Sequence, residues 1–232
     1  MPKSKRSKLV SLTQTRKKGR EGKESLIEEL RRCVDEYLYI YLFSVSNMRN
    51  NFLKDVRTEW RTSRFFLGKN KVMAKALGNT AEDEYKEGLK DLTKQLTGNV
   101  GLLFTNSKPD IVQAYFDQYT QPSYARAGNE ATDTIKLSEG PLTRGPDAEP
   151  VPHNMEPQLR KLGMPTVLKN GIVTLPFNYT VCREGEILSS NQANILKLFY
   201  HQLSEFKIHL QCYWHDGQVH EITDENDEES MN

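Results

Sequence analysis

Residues 37–45, YLYIYLFSV, are almost continuously apolar and aromatic, and this run constrains the fold more than any other feature. A strand-length run without alternation is typical of a central strand that is buried on both faces of a sheet. Other elements must cover both faces of that sheet, which favours a layered fold in which helices pack on strands.

Helices and strands alternate along the first half of the chain. Apolar residues recur at helical spacing in four segments, at about residues 22–36, 48–62, 82–96 and 109–119. Short strands are predicted at RFFLG and NVGLLFT, residues 64–68 and 99–105, and GKNKVMAKALG, residues 68–78, predicts a further helix. This order of elements predicts an α/β fold with a mostly buried sheet.

Two of these helices have a clearly defined inner face. In the segment at 48–62 the inner residues lie four apart, at Met48, Phe52, Val56 and Trp60. In the segment at 82–96 the residues predicted to face inward are Tyr85, Leu89, Leu92 and Leu96. Their charged neighbours are predicted to face solvent.

The composition changes at Pro122, because eight of the ten prolines lie between Pro122 and Pro176. Within this stretch EPQLRKLG predicts a short helix, and VLKNGIVTL predicts a hairpin around Asn170-Gly171, a pair that readily adopts positive φ. From about residue 189 a helix with a serine cap returns, followed by the alternating strand FKIHLQCYW.

These changes predict two domains and two polar ends. The α/β domain is predicted at residues 22–120 and 189–215, with a smaller, strand-containing domain inserted at 121–188. A basic N-terminal arm at 1–21 and an acidic tail at 216–232 flank them.

The net charge of +1 averages over two ends of opposite sign. From Asp216 onward the only charged residues are acidic. The arm carries its basic residues in short clusters, at Lys3, Lys5, Arg6, Lys8, Arg16, Lys17, Lys18 and Arg20. Such an arm favours nucleic-acid binding or nuclear targeting, the alternative being a solvated end without a partner.

The cellular context follows from what the sequence lacks. No apolar run approaches the roughly 20 residues that span a bilayer, and the N-terminus carries no apolar signal segment. The three widely spaced cysteines, Cys33, Cys182 and Cys212, fit reduced thiols better than disulfides. We therefore expect an intracellular protein without contact to a membrane.

Nucleotide binding at residues 68–78 is disfavoured. A phosphate-binding Walker loop needs an upstream glycine and a hydroxyl after its Gly-Lys pair. Here the upstream glycine is missing and Asn70 stands where the hydroxyl belongs.

Metal binding and catalysis are disfavoured in the same way. Cys212, His215 and His220 could be imagined as zinc ligands, but their spacing fits no finger and no fourth ligand is evident. Motifs for nucleophilic or metal-assisted hydrolysis do not occur. We expect no cofactor, no metal and no enzyme activity.

A basic surface remains. Lys54, Arg57, Arg61 and Arg64 step by three, four and three residues, which predicts one helical face opposite Phe52, Val56 and Trp60, with Asp55 and Glu59 on a different side. In the helix at 68–78, Val72, Met73, Ala76 and Leu77 are predicted to be buried, whereas Lys69, Asn70, Lys71 and Lys75 stay outside. The start of that helix, with free N–H groups and a positive dipole, is suited to phosphate.

Several long segments carry a resemblance to a known family. They are MPKSKRSKLVSLTQTRKKGRE, VSNMRNNFLKDVRTEWRTSRFFLGKNKVMAKALG, VGLLFTN, EPQLRKLGMPTVLKNGIVTL, VCREGEILSSNQANILKLF and SEFKIHLQCYW. In this order they resemble the mRNA turnover protein 4 family of ribosome assembly factors, which is related to the large-subunit stalk-base protein. The resemblance covers nearly the whole chain from Met1 to Trp214.

The resemblance implies a stalk-base-type α/β RNA-binding domain with an inserted second domain. It further implies binding to large-subunit ribosomal RNA at the future stalk base of nuclear and nucleolar pre-ribosomes, as a monomer among neighbouring ribosomal proteins, until the stalk protein replaces it. Arg57 and Gly68-Lys69-Asn70 match the family's RNA-facing motif, and Lys71 and Lys75 extend it.

The residues and the resemblance together define a set of candidate RNA-binding residues. It comprises the eight basic residues of the arm named above together with Arg49, Lys54, Arg57, Arg61, Arg64, Lys69, Asn70, Lys71 and Lys75.

The sequence departs from the ribosomal branch at its C-terminal end. Only about 18 residues follow Trp214, too few for the long helices on which the resemblance implies that the stalk protein recruits its acidic partners. We therefore expect a protein that occupies the RNA site without recruiting the stalk. The alternative is a shortened stalk-type component of mature ribosomes.

Overall fold

The computed structural model describes residues 19–80 and 82–222. The predicted arm up to residue 18 and the chain from residue 223 lie outside the described residues. The helices are α1 (Arg20–Glu36), α2 (Asn50–Glu59), α3 (Asn70–Leu77), α4 (Leu89–Lys94), α5 (Pro109–Gln118), α6 (Glu156–Lys161) and α7 (Ser190–Leu198).

Thirteen strands accompany these helices in the described residues. The first seven are β1 (Tyr39–Ser46), β2 (Arg64–Phe66), β3 (Val100–Thr105), β4 (Thr120–Ser123), β5 (Ile135–Leu137), β6 (Gly140–Pro141) and β7 (Thr143–Arg144). The others are β8 (Glu149–Pro150), β9 (Val167–Lys169), β10 (Ile172–Leu175), β11 (Tyr179–Cys182), β12 (Ser204–His215) and β13 (Gln218–Glu221). The α/β fold class is confirmed.

The largest sheet has six strands. Its order is β13, β12, β1, β3 and β2, and β4 also pairs with β12. The β2 and β3 strands are antiparallel, with Phe65 opposite Leu103, and β12 forms an antiparallel hairpin with β13, in which Tyr213 lies opposite His220. The run at 37–45 provides the central strand β1, as predicted, and its residues 40–43 are fully buried.

The chain divides into two compact units. Within the described residues, the first unit comprises 19–42, 64–106 and 212–222, and the second comprises 43–63 and 107–211. The predicted domain boundaries divide the chain differently and stay a prediction.

The core of the first unit is formed by α1, α3 and α4 against β1, β3 and the end of β12. Leu30, Val34, Leu77, Leu92 and Phe104 are completely buried in it. The spacing of Leu30, Cys33 and Val34 along α1 explains why this helix presents one apolar stripe to the sheet.

A separate core holds together the part of the second unit between residues 125 and 203. Leu159, Val173 and Val181 pack there with Ile195 and Leu196 of α7. The helix α7 begins with a capping box, in which the Ser189 hydroxyl accepts from the Gln192 backbone N–H and the Gln192 side chain accepts from the Ser189 N–H.

Most sequence predictions of individual elements are confirmed. The predicted hairpin is formed by β9 and β10, and Asn170 and Gly171 take φ values of 50° and 80° in its turn. The short helix at EPQLRKLG is α6, and the alternating strand FKIHLQCYW lies within β12. Phe199 is buried at the end of α7, whereas Tyr200 adopts a φ of 64° and is 44% exposed.

Two predicted helices are shorter than the periodicity suggested. The helix expected at 48–62 ends at Glu59, so Met48 precedes it and Trp60 only caps it. The helix expected at 82–96 is confined to Leu89–Lys94, because Gly88 takes the left-handed conformation at φ 78°. Tyr85 is consequently 38% exposed instead of facing the core.

The prediction that the chain is only a tail after residue 215 is wrong for residues 216–221. Asp216 and Gly217, at φ 46° and 82°, form a tight turn that leads into β13. An Asp-Gly pair is a strong hairpin signal, but the acidic composition around it obscured this signal.

Candidate nucleic-acid interface

The helix α3 of the first unit carries a short, exposed basic segment. Met73, Ala76 and Leu77 are buried against the core, and Val72 is half-buried. Lys69, Lys71 and Lys75 are exposed, as predicted. The helical period therefore separates an apolar face from three cationic side chains around the helix start.

The start of α3 is open for an anion. Lys69 is the residue before the helix and makes no side-chain cap, while its carbonyl oxygen accepts from the N–H groups of Val72 and Met73 at 2.8 and 3.1 Å. The positive end of the helix dipole adds to the charge of the lysines there. This combination is suited to a phosphate group.

Two neighbouring residues fix the position of this helix start. The side-chain amide of Asn70 donates to the carbonyl oxygen of Gly98 at 2.9 Å, so one donor of this predicted RNA contact is used within the protein. A Cβ atom added at Gly68 would lie 3.3 Å from both Leu26 Cδ2 and Met73 Cγ. The absence of a side chain at Gly68 therefore lets α3 pack closely against α1.

A second basic segment lies on α2, in the second unit. Lys54 and Arg57 are exposed on the helix, and Leu53 and Val56 are buried. Arg61 is exposed in the turn after the helix. The predicted four-residue stripe is therefore only partly helical, since α2 ends at Glu59 and Arg64 belongs to β2.

The acidic residues of α2 are directed to α5. The Tyr115 hydroxyl donates to Glu59, and burial together with this bond raises the pKa of Tyr115. Burial and the charges of Glu59 and Asp55 likewise raise the pKa of Tyr119. The carboxylates of α2 thus lie near tyrosines of α5, within the second unit.

Three other predicted RNA contacts have partners within the protein. The Arg49 guanidinium donates to the Ser123 hydroxyl at 2.8 Å and to the Tyr124 carbonyl, so two of its donors hold the protein itself together. Burial, aided by the Arg126 charge, lowers the pKa of Arg49.

Arg64 and Arg20 are exposed but paired. The Arg64 guanidinium bonds to Glu29 and lies 5.9 Å from the centre of the Phe66 ring. Arg20 pairs with Glu24 at 2.7 Å in the first turn of α1. Exposed pairs of this kind are weak, so both cations can exchange their partner for a phosphate. The other predicted contacts of the arm, Lys3 to Lys18, lie outside the described residues.

Metal binding finds no support in the described ranges. No group of three His, Cys, Asp or Glu residues lies close enough to hold an ion in residues 19–80 and 82–222. Cys212 is fully buried, and burial raises the pKa of its thiol to about 12. The His215 ring stacks on Tyr39, with centroids 4.4 Å apart. Nor does a helix of this part of the chain have the length and apolar content to cross a bilayer.

Comparison with known proteins identifies the family. The ribosome assembly factor mrt4 of Schizosaccharomyces pombe is 50% identical over 92% of this chain and 91% of its own length. The chain belongs to the Mrt4 family of ribosome assembly factors. Saccharomyces cerevisiae has another member, which is 43% identical over 97% of this chain and 99% of its own length.

The Mrt4 family is related to a ribosomal protein. The sequence profile of Ribosomal protein L10 matches residues 18–121, and a second profile, which describes the insertion domain of the corresponding 60S ribosomal protein, matches residues 125–200. Large ribosomal subunit protein uL10 of Pyrococcus horikoshii is 27% identical over 86% of this chain but only 57% of its own length. Members of these families are not enzymes, and this chain is not one.

Proposed function

We propose that this protein binds large-subunit ribosomal RNA at the future stalk base of pre-ribosomes and is later replaced there by the ribosomal stalk protein. The observation that carries the proposal is the exposed cationic start of α3, where Lys69, Lys71 and Lys75 surround a helix N-terminus. Lysine supplies point charge to a phosphate backbone, and helix N–H groups add directed donors.

The basic side of α2 supports the same ligand. Lys54, Arg57 and Arg61 are exposed there, and the acids of the helix face α5. Arginine can contact a phosphate with two parallel hydrogen bonds, which adds geometric specificity. We include Arg20, Arg64 and Asn70 as additional contacts, together with the predicted basic residues of the arm, and we exclude Arg49 because its half-buried guanidinium is held by Ser123 and Tyr124.

The location on the pre-ribosome is inferred from the relationship to ribosomal protein L10. Residues 18–121 match the ribosomal protein L10 profile, and these residues contain both basic segments. Two proteins that share this domain would compete for one RNA site, so the assembly factor must leave before the ribosomal protein can bind. Neighbouring ribosomal proteins of the pre-ribosomal large subunit are the other expected partners, and the nucleus with its nucleolus is the expected location.

A triple variant tests the proposal. Lys69, Lys71 and Lys75 are changed together to Glu, and the distribution of the protein over a sucrose gradient of cell extract is measured. We expect the variant to leave the pre-ribosomal large-subunit fractions for the top of the gradient, because three attractive charges become repulsive to RNA.

A matched control makes the same change of charge at three lysines far from α3 in the sequence. Lys136, Lys161 and Lys169 are exposed lysines of the second unit, and their triple change to Glu is expected to leave sedimentation unchanged. Equal co-sedimentation of the first variant and the unaltered protein would contradict RNA binding through α3. Recovery of the unaltered protein mainly in translating ribosomes would instead favour a shortened stalk-type component.

A further inference from the structure

Five rings form a ladder on one face of the first unit's sheet. Tyr39 stacks on His215 with centroids 4.4 Å apart, and Tyr213 stacks on His220 at 4.9 Å. Tyr41 lies 5.2 Å from Tyr213, and the Tyr39 and Tyr213 centroids are 6.2 Å apart. We call these residues the aromatic ladder.

Strand alternation places the ladder on the face opposite the core. Cys212 and Trp214 point into the core of the first unit, so Tyr213 and His215 must point the other way. In β1 the same alternation places Tyr39 and Tyr41 opposite Ile40 and Leu42. The register of the β12–β13 hairpin then brings His220 directly opposite Tyr213.

Part of the ladder is open to solvent. His220 is exposed, Tyr39, Tyr213 and His215 are half-buried, and Tyr41 is completely buried. Leu38 is 58% exposed beside them, and its carbonyl oxygen lies 3.2 Å from His215 Nδ1. Each of the two stacks ends in a histidine ring, so the open part of the ladder presents stacked aromatic surface.

The segments that carry the ladder contain acidic but no basic residues. Neither Lys nor Arg occurs at positions 33–48 or 208–232, the sequence that contains all five rings. Asp216 follows His215 directly. A nucleic acid, whose backbone is negatively charged, is therefore an unfavourable ligand for this face.

We propose that the aromatic ladder binds a basic, arginine-containing segment of a protein. A guanidinium group stacks on planar aromatic rings and is attracted by the ring faces of tyrosines. Asp216, next to His215 in the chain, supplies complementary charge. The proposal does not depend on the RNA-binding role of α2 and α3, because it concerns other residues and a ligand of opposite charge.

Titration of the full chain with three labelled probes tests this proposal. The probes are a short peptide of alternating arginine and glycine, its lysine equivalent and an oligouridylate, and binding is followed by fluorescence anisotropy. The variants are His220→Ala, Tyr213→Leu and Asp216→Asn. We expect each ring variant to weaken binding of the arginine peptide about three- to fivefold, the scale of one cation–π contact.

Matched controls separate the ladder from other acidic and aromatic surface. Glu205→Gln removes an exposed acid at the other end of β12, and Phe177→Leu removes an exposed ring of the second unit. Both should bind the arginine peptide like the unaltered protein, and the lysine peptide should bind more weakly than the arginine peptide.

Two results would overturn the proposal. One is equal affinity of the ring variants and the two controls for the arginine peptide. The other is a loss of oligouridylate binding in the ring variants, which would make the ladder a base-stacking surface. Because His220 is exposed on an edge strand, His220→Ala is expected to fold, and its circular dichroism spectrum checks this.

Discussion

The side-chain amide of Asn70 donates to the carbonyl oxygen of Gly98, across 2.9 Å, and so ties the start of α3 to the turn before β3. We expect Asn70→Ala to lower the free energy of unfolding by about 1 kcal/mol, the net worth of one such hydrogen bond. Urea denaturation measures this loss. Asn51→Ala, at an exposed site of α2, serves as the control and should be close to neutral.

The salt dependence of RNA binding reports the phosphate contacts of α3. For a ribosomal RNA transcript, each lost contact should reduce the slope of log affinity against log salt by about 0.7 to 0.9. We expect Lys71→Gln and Lys75→Gln each to show this reduction in filter binding. Lys161→Gln changes an exposed lysine of the second unit and should keep the full slope; equal slopes for all three variants would place the phosphate contacts elsewhere.

Arg49 and Lys54 should respond in opposite ways. Arg49→Ala removes two hydrogen bonds from a half-buried cation, and we expect the free energy of unfolding to fall by about 2 kcal/mol. Lys54→Ala, on the exposed side of α2, should keep its stability but bind RNA more weakly. Thermal melts and RNA titrations of both variants distinguish structural from RNA-binding roles. An Arg49→Ala protein as stable as the unaltered protein would contradict the structural role of Arg49.

Gly88 and Gly98 share a left-handed backbone but differ in their surroundings. A Cβ atom at Gly88 would lie 2.0 Å from the Gly217 carbonyl oxygen, whereas none of the described atoms beyond its chain neighbours lies within 4 Å of one at Gly98. Gly98→Ala should cost about 1 kcal/mol through its φ of 69° alone. We expect Gly88→Ala to cost more than about 3 kcal/mol in chemical denaturation, because backbone must move. Similar losses of stability in the two variants would contradict this prediction, because they would show that the backbone at Gly217 can move at little cost.

The pair of Asp35 and Tyr85 predicts a pH effect. The Tyr85 hydroxyl donates to Asp35 at 2.6 Å, and this bond, followed by Lys86, lowers the pKa of the Asp35 carboxyl. A lowered pKa in the folded state contributes stability that is present above the unfolded pKa of about 3.9 and is lost as the pH falls through the folded pKa.

Asp35→Asn should therefore be less stable than the unaltered protein near neutral pH, with a difference that shrinks below about pH 4. Denaturation at a series of pH values measures this difference. Tyr85→Phe removes the main hydrogen-bond donor to Asp35 and keeps the carboxyl group. The pH-dependent stability that Asp35 contributes should therefore be smaller in this variant. A gap between Asp35→Asn and the unaltered protein that stays constant down to low pH would disprove the linkage.

The sequence by itself determined those features that depend on local periodicity and local turn chemistry. The run at 37–45 predicted the central strand, the spacing of Leu30, Cys33 and Val34 predicted α1, and Asn170-Gly171 predicted a hairpin. These signals are sufficient because burial of one face and positive φ are each imposed by a few neighbouring residues. The exposed lysines of α3 followed from the same helical period.

Only the tertiary structure decided which side chains are used within the protein. Arg49 was predicted on the RNA surface, but its partners Ser123 and Tyr124 lie more than 70 positions away in the sequence. The aromatic ladder could likewise not be predicted from local sequence, because it needs the pairing of β12 with β13 and the placement of β1 beside them. Contacts between distant segments depend on strand order and register, which local patterns do not encode.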